Sequence, residues 1–526
     1  MTAGYRRGSA APRMSTFVRG IAAVICLVTC FTVPRTASAQ DAVLAGYQQF
    51  HAGDTDGAQQ YFARLVASRP ADLSARLGEL VVLEERARTD ASLEREFERK
   101  IDAFLADTER RYSRSSADDD ALFHLSAGYL LRAQYRVTRD KGMFGAARDG
   151  AKMKRFAETY LARHPEHGDA YLAPGLYNYF VDLAPTFVRV IRTFLFLPSG
   201  NRAEGLKQIE RAYRDGSYFS FVAGLALTEI YGTFEARPGD GIGIGERLAR
   251  QYPDNPTPHL ALASLYMSPA VENYAAAADR YQAVIDQEAR RRESRVAGYQ
   301  ARFGLANARF RQWRLEDAIG VLPPAIDADP AKFRSIAPNA LLQRANFRAL
   351  LHDPRAVDDA RRVRSDPRWK DWHDSADELI SWIEKRRASG ESAVYAALVP
   401  ANLLAAERKW DEAAASYERL RQQYPNDVQV RFRLGYLALL RGDLDRAIAD
   451  LTPATTHRAS PTWLQAQALL HIGRAHDLGG RRPDAIRFYE RIVDDFEDEN
   501  AAFAARVGLL SPYRRRQGLS TDGKSD

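Results

Sequence analysis

Apolar residues recur along this chain at helical spacing, and within them a finer alternation of small and large side chains repeats. In WDEAAASYERLRQQYP, GDLDRAIADLTPA and RRPDAIRFYERIV, Ala413, Ala447 and Ala485 stand 34 and 38 residues apart. Each is followed one helical turn later by a large residue: Tyr417, Leu451 and Tyr489. Charged residues fill the remaining positions, as on an amphipathic helix with one buried stripe. A further apolar segment precedes each of the last two helices and carries Leu434-Gly435 or Ile472-Gly473. A glycine there lets a second helix approach closely, the alanine opposite does the same, and the large residue fills the space that is left. The pattern predicts packed helix pairs.

The same offsets return at Gly46, Ala58, Phe62, Leu65 and Pro70, and at Leu305, Ala306, Ala318, Leu322, Ala325 and Pro330. Ala277, Tyr281 and Val284 suggest one more pair. Around Ala413 the glycine is replaced by Ala401, and Pro400 falls inside the expected first helix, which predicts a kink or a late start. A period near 34 residues with Gly, Ala, aromatic and Pro at fixed distances resembles the tetratricopeptide repeat. That resemblance implies an all-α fold, an α-α superhelix of stacked pairs, and a concave groove lined by first-helix side chains that takes up protein or peptide. By the family's offsets Asn402, Tyr436 and Arg474 form one row of the groove, with Phe432 and Leu470 in another. The Lys and Asn set with which some members clamp a C-terminal carboxylate is not evident.

Residues 118–256 are less regular. DAYLAPGLYNYF around Gly175 looks like a first helix and GLKQIERAY around Gly205 like its second, with an apolar insertion between them. Gly175, Asn178, Pro185, Gly200, Asn201, Arg202, Gly205 and Leu206 occur in the order of a signature in the eukaryotic inclusion-body clearance proteins, and this segment resembles that tetratricopeptide subfamily. Asn201 stands where the subfamily has an acidic residue. Within the insertion Phe187, Ile191, Phe194 and Leu195 either fold back between repeats or form an amphipathic surface for a membrane or a partner.

Charge and cysteine content change the picture through the first 39 residues. Arg6, Arg7, Arg13 and Arg19, the apolar run Ile21 to Val33 and Ala37-Ser38-Ala39 together read as an export leader cleaved after Ala39. Thr29-Cys30 is a poor lipid-attachment box, so anchoring at Cys30 is the lesser reading. Both cysteines, Cys26 and Cys30, lie in this leader, which leaves no thiol for disulfide or metal chemistry. The leader also holds five arginines and no acid, so its removal takes the formal charge from +7 to about +2. Nucleic acid is therefore not an indicated partner.

Candidate chemistry is sparse. PGDGIGIGER lacks the strand that a dinucleotide fingerprint requires and reads as an inter-helix turn. His164, Glu166, His167 and Asp169 in RHPEHGD sit on a Pro-Gly turn, a weak setting for a metal. The basic groups Arg361 to Arg364, Lys385 to Arg387 and Arg514 to Arg516 are flanked by acids and read as solvated surface, and Trp369, Trp372 and Trp382 read as core.

The sequence thus predicts a leader over 1–39, an N-terminal repeat region over 40–256 with the insertion at 183–200, a central region over 257–390, a C-terminal array over 391–512 and a flexible tail over 513–526. The expected function is that of a non-catalytic scaffold, without cofactor or metal, binding protein or peptide in the cell envelope, most simply the periplasm. The alternative is an envelope assembly factor that contacts lipid or an outer-membrane partner through the insertion.

Overall fold

The computed structural model describes residues 37–514 except 89, 140, 183–198, 236, 269, 292–295, 331–332 and 457–459. Among the described residues every regular element is helical and no strand occurs. Their contacts form two units. One holds the residues up to Leu265 with part of 286–297, and the other holds Tyr266–Ile285 with the residues from Gly298 onward.

The helix pairs follow from the small-large alternation. Ala58, Ala277, Ala318, Ala413, Ala447 and Ala485 are all completely buried. A side chain added at Gly46 would lie 2.6 Å from the Phe62 ring, and one added at Gly78, in the next helix, 2.3 Å from the same ring. Phe62 is thus seated between two glycines, one in its own pair and one in the following helix. Tyr489 repeats the arrangement between Gly473 and Gly508, where an added carbon would meet its ring at 2.7 Å in both cases. Phe62 and Tyr489 therefore weld one pair to the next, and any β-carbon at those glycines would force the helices apart.

The turn inside each pair is equally regular. Gly53, Glu272, Trp313, His352, Arg408, Gly442 and Gly480 all have positive φ, between 48° and 89°. Each stands five residues before the buried small residue of its second helix, or before Val357 in the case of His352. The left-handed residue reverses the chain after the first helix. It also reveals a unit at His352 that the alanine pattern passes over, because Val357 replaces the alanine.

Two sequence expectations are corrected. PGDGIGIGER is not a turn: Pro238–Gln251 is an α-helix with proline at its first position. Gly241 and Gly245, one turn apart, lie where a β-carbon would be 2.6 Å from the Thr228 carbonyl oxygen and 2.7 Å from Leu262. Its glycines thus admit close neighbours, with Ile244 and Leu248 supplying buried apolar surface. Pro400 neither delays nor ends its helix, which runs Glu391–Ala406 through it. Buried Val394, Leu398, Val399, Ala401 and Ala405 hold the segment on both sides of the missing N–H.

In the irregular region Gly205 packs closely on the helix that carries Gly175, so that a carbon on Gly205 would be 2.4 Å from the Tyr179 amide nitrogen. Buried Asp169 accepts N–H bonds from Ser217, Tyr218 and Phe219 and ties down the entry to the helix Ser220–Glu229. Residues 183–198, which include Phe187, Ile191, Phe194 and Leu195, lie outside the described residues. Trp369 is buried and Trp372 and Trp382 pack against the same core.

His51 closes the first unit. Its ring stacks on Phe221 at 4.5 Å and touches Tyr47, Phe50 and Tyr252, while its carbonyl accepts the Asn255 side-chain amide at 2.7 Å.

Two measurements check these accounts. Arg408 is exposed and left-handed, so Arg408→Gly should stabilise the protein by up to about 1 kcal/mol, and Gly442→Ala should destabilise it by about as much, in denaturant unfolding. Burial lowers the His51 pKa from 6.5 to about 4, so the unfolded chain takes the proton first, and its contribution is intact above pH 6.5 and lost as pH falls toward 4. Between about pH 7.5 and about pH 5 the wild type should lose about 2 kcal/mol more stability than His51→Phe, and parallel losses would contradict the assignment.

Candidate partner-binding row

The first helices of the C-terminal pairs, Glu391–Ala406, Val428–Arg441 and Thr462–Leu478, carry the side chains singled out from the sequence. Phe432 and Tyr436 lie one turn apart with parallel rings. Across from them is the His471 ring, 4.5 Å from Tyr436 and 5.8 Å from Phe432. Arg474 follows, with its guanidinium 4.6 Å from the Tyr513 ring and one Nη 3.2 Å from a carboxylate oxygen of Glu272. The Asn402 carboxamide accepts the Tyr417 hydroxyl at 2.6 Å.

These positions are not an open groove. Asn402, Phe432, Leu470 and Arg474 are buried and Tyr436 is half-buried, covered by residues of the same chain. Glu272 and Trp313, from the left-handed turns of two earlier pairs, reach Arg474 and Arg433. Tyr513, expected at the start of a flexible tail, instead donates its N–H to Asp477 and lies over Arg474. Leu470 is the second correction. It packs with Ala485 and Tyr489 in the inter-helix core, and its neighbour His471 takes the place facing Phe432.

Sequence offsets therefore passed over His471, Arg433, Glu272, Trp313 and Tyr513. Arg433 and His471 were visible as polar residues inside the apolar runs VRFRLGYLALL and ALLHIGRA. The other three lie outside these helices and carry no repeat mark.

Burial, together with the cations of Arg474 and Arg433, pushes the His471 pKa well below its usual value, so the imidazole is neutral. Burial disfavours the Arg474 cation, but Glu272, Tyr513 and Tyr436 outweigh it and raise its pKa. The row thus offers two guanidinium groups and several rings, a set suited to holding a ligand and lacking a nucleophile.

Elsewhere the reactive side chains are engaged with one another. Ser74 and His124 are joined, with Ser74 Oγ 3.1 Å from His124 Nε2, while His124 Nδ1 bonds the Asp120 backbone carbonyl at 2.7 Å and has the Asp120 carboxylate at 3.2 Å. Ser74 and His124 are wholly enclosed, which denies a substrate approach to the hydroxyl. In RHPEHGD, His164 pairs with Asp119 at 2.8 Å, His167 bonds the Tyr160 hydroxyl at 2.8 Å, and Asp169 is occupied by backbone amides. Among the described residues no three His, Cys, Asp or Glu side chains gather as metal ligands, and no helix is long and apolar enough to cross a membrane. In the basic surface groups Arg361 pairs with Glu384, Arg364 with Asp377 and Arg386 with Glu391.

Residues 400–461 and 467–498 match models of the tetratricopeptide repeat, so the C-terminal array carries such repeats. No curated protein sequence matches the chain. Among solved structures, a human IFIT1 dimer with PPP-AAAA is similar at 12% identity over 93% of this chain and 96% of that one, with a TM-score of 0.30. Yeast Tom70 is similar at 14% identity over 86% of this chain and 92% of that one, also with a TM-score of 0.30.

Glu272 is the carboxylate on Arg474, and removing its charge leaves a buried guanidinium unmatched. Glu272→Gln should therefore destabilise the protein by about 2 kcal/mol, while Arg474→Met, which removes the cation itself, should change stability less. Denaturant unfolding of both variants checks the order, and equal losses would show that packing rather than charge sets the effect.

Proposed function

We propose that this protein is an exported, non-catalytic scaffold that binds a protein or peptide partner in the cell envelope. The leader read in residues 1–39 supports export, and the periplasm is the compartment that suits a mature chain starting at Gln40. The observation that carries the binding role is the convergence of Phe432, Tyr436, His471, Arg433 and Arg474 on one face of tetratricopeptide repeats. Aromatic and arginine side chains are the types that anchor protein interfaces. Tyr436 is the partly exposed entry to this face, and Tyr513, which donates its N–H to Asp477 and lies over Arg474, is the part of the cover that a partner displaces.

Cross-linking and co-purification from intact cells test the proposal. A partner should be recovered reproducibly with the wild type and about fivefold less with Tyr436→Ala at unchanged thermal stability. Failure to recover any reproducible partner would overturn the scaffold reading, and a mature chain that retains residues before Gln40 would overturn the proposed processing.

A further inference from the structure

Among the described residues two arginines are buried, and they are treated differently. Arg474 has the Glu272 carboxylate. Arg433 is 8% exposed and no acid or carbonyl pairs with it among the described residues: its Nε is buried without an acceptor, the Trp313 ring lies at 4.7 Å and the Phe432 ring at 5.4 Å, and Tyr417, Tyr436 and Tyr395 favour its charge against burial. Stacking on two rings offsets part of the desolvation of a guanidinium, but burial without a counter-charge remains unfavourable. Two more polar nitrogens on the flanking first helices are also buried without partners, Asn402 Nδ2 and His471 Nδ1. Asn402 Nδ2 is a donor, while Nδ1 of the neutral His471 donates in only one of its two tautomers, so the unmet donors are those of Arg433 and Asn402. Such a face is completed by a group that only accepts hydrogen bonds and bears negative charge, and an ionised carboxylate is both. The same row already shows how one is held, since Glu272 enters from a neighbouring turn and settles on Arg474.

We propose that Arg433 is the anchor for an acidic side chain of a bound peptide, with the carboxylate on the guanidinium and the peptide's apolar neighbours against Trp313 and Phe432. This inference rests on the reading of the first-helix face as a peptide-binding surface and names the chemistry of what binds there. A second consequence follows from the missing counter-charge: in the free protein Arg433 is kept at the expense of stability.

The test uses the full mature chain with a hexaglutamate peptide, and with hexalysine and inorganic phosphate as comparators. Tryptophan emission reports the site directly, because Trp313 lies against Arg433. Hexaglutamate should change the emission and raise the melting temperature, Trp313→Phe should abolish the emission change, and Arg433→Met should weaken binding by about tenfold or more while melting above the unliganded wild type. An Arg433→Met protein that melts lower or fails to fold would make the arginine a packing element and overturn the proposal. So would an equal response to inorganic phosphate, which would mark a small-anion site, or undiminished peptide binding by the variant. A cellular partner captured equally by wild type and Arg433→Met would sink the Arg433 assignment and leave the scaffold standing, whereas capture by neither would sink the scaffold.

Discussion

The fold depends on one contact, repeated: a large side chain one turn after a buried alanine, pressed into the space above a glycine of the facing helix. At Phe62 and Tyr489 that side chain touches glycines of two different helices, so the contact that closes a pair also joins it to the next. Packing at this distance tolerates no β-carbon, and the repeat therefore constrains residue size more strongly than residue type. Leu451 takes the place of an aromatic ring above Gly435 without loss of the pair.

This constraint explains which parts of the molecule are legible in the sequence. Glycine, alanine and the large residue are local and recur at fixed offsets, so the spacing alone marks the pairs at Ala58, Ala277, Ala318, Ala413, Ala447 and Ala485. The pair at His352 escapes because Val357 departs from the alanine and only the backbone turn marks it. Pro238–Gln251 is misread for a related reason. Glycines are the usual sign of a turn, but Gly241 and Gly245 are one helical turn apart and serve packing, as Gly46 and Gly473 do in their own pairs.

The candidate site is less legible, because its cover comes from elsewhere. Offsets locate Phe432, Tyr436 and Arg474 on first helices, and these do lie along one face. They cannot show that Glu272, Trp313 and Tyr513 close over that face, since those contacts join residues as far apart as Glu272 and Arg474. Nor do offsets resolve one residue in a helix buried almost all round. Leu470 and His471 both lie within Thr462–Leu478, and packing gives the imidazole the place facing Phe432 and Tyr436.

The turns connect the repeat to the site. At this position three pairs have glycine, which takes a left-handed conformation freely, whereas Trp313 and Glu272 take it with a side chain, at about 1 kcal/mol each. These two side chains are the ones that reach Arg433 and Arg474. Strained backbone and buried charge therefore coincide, although either would be relieved by a common substitution: glycine in the turn, or an apolar residue in the helix. Stability alone accounts for neither choice. His352 and Arg408 also take the left-handed conformation with a side chain, so what sets Glu272 and Trp313 apart is the buried arginine that each of them meets.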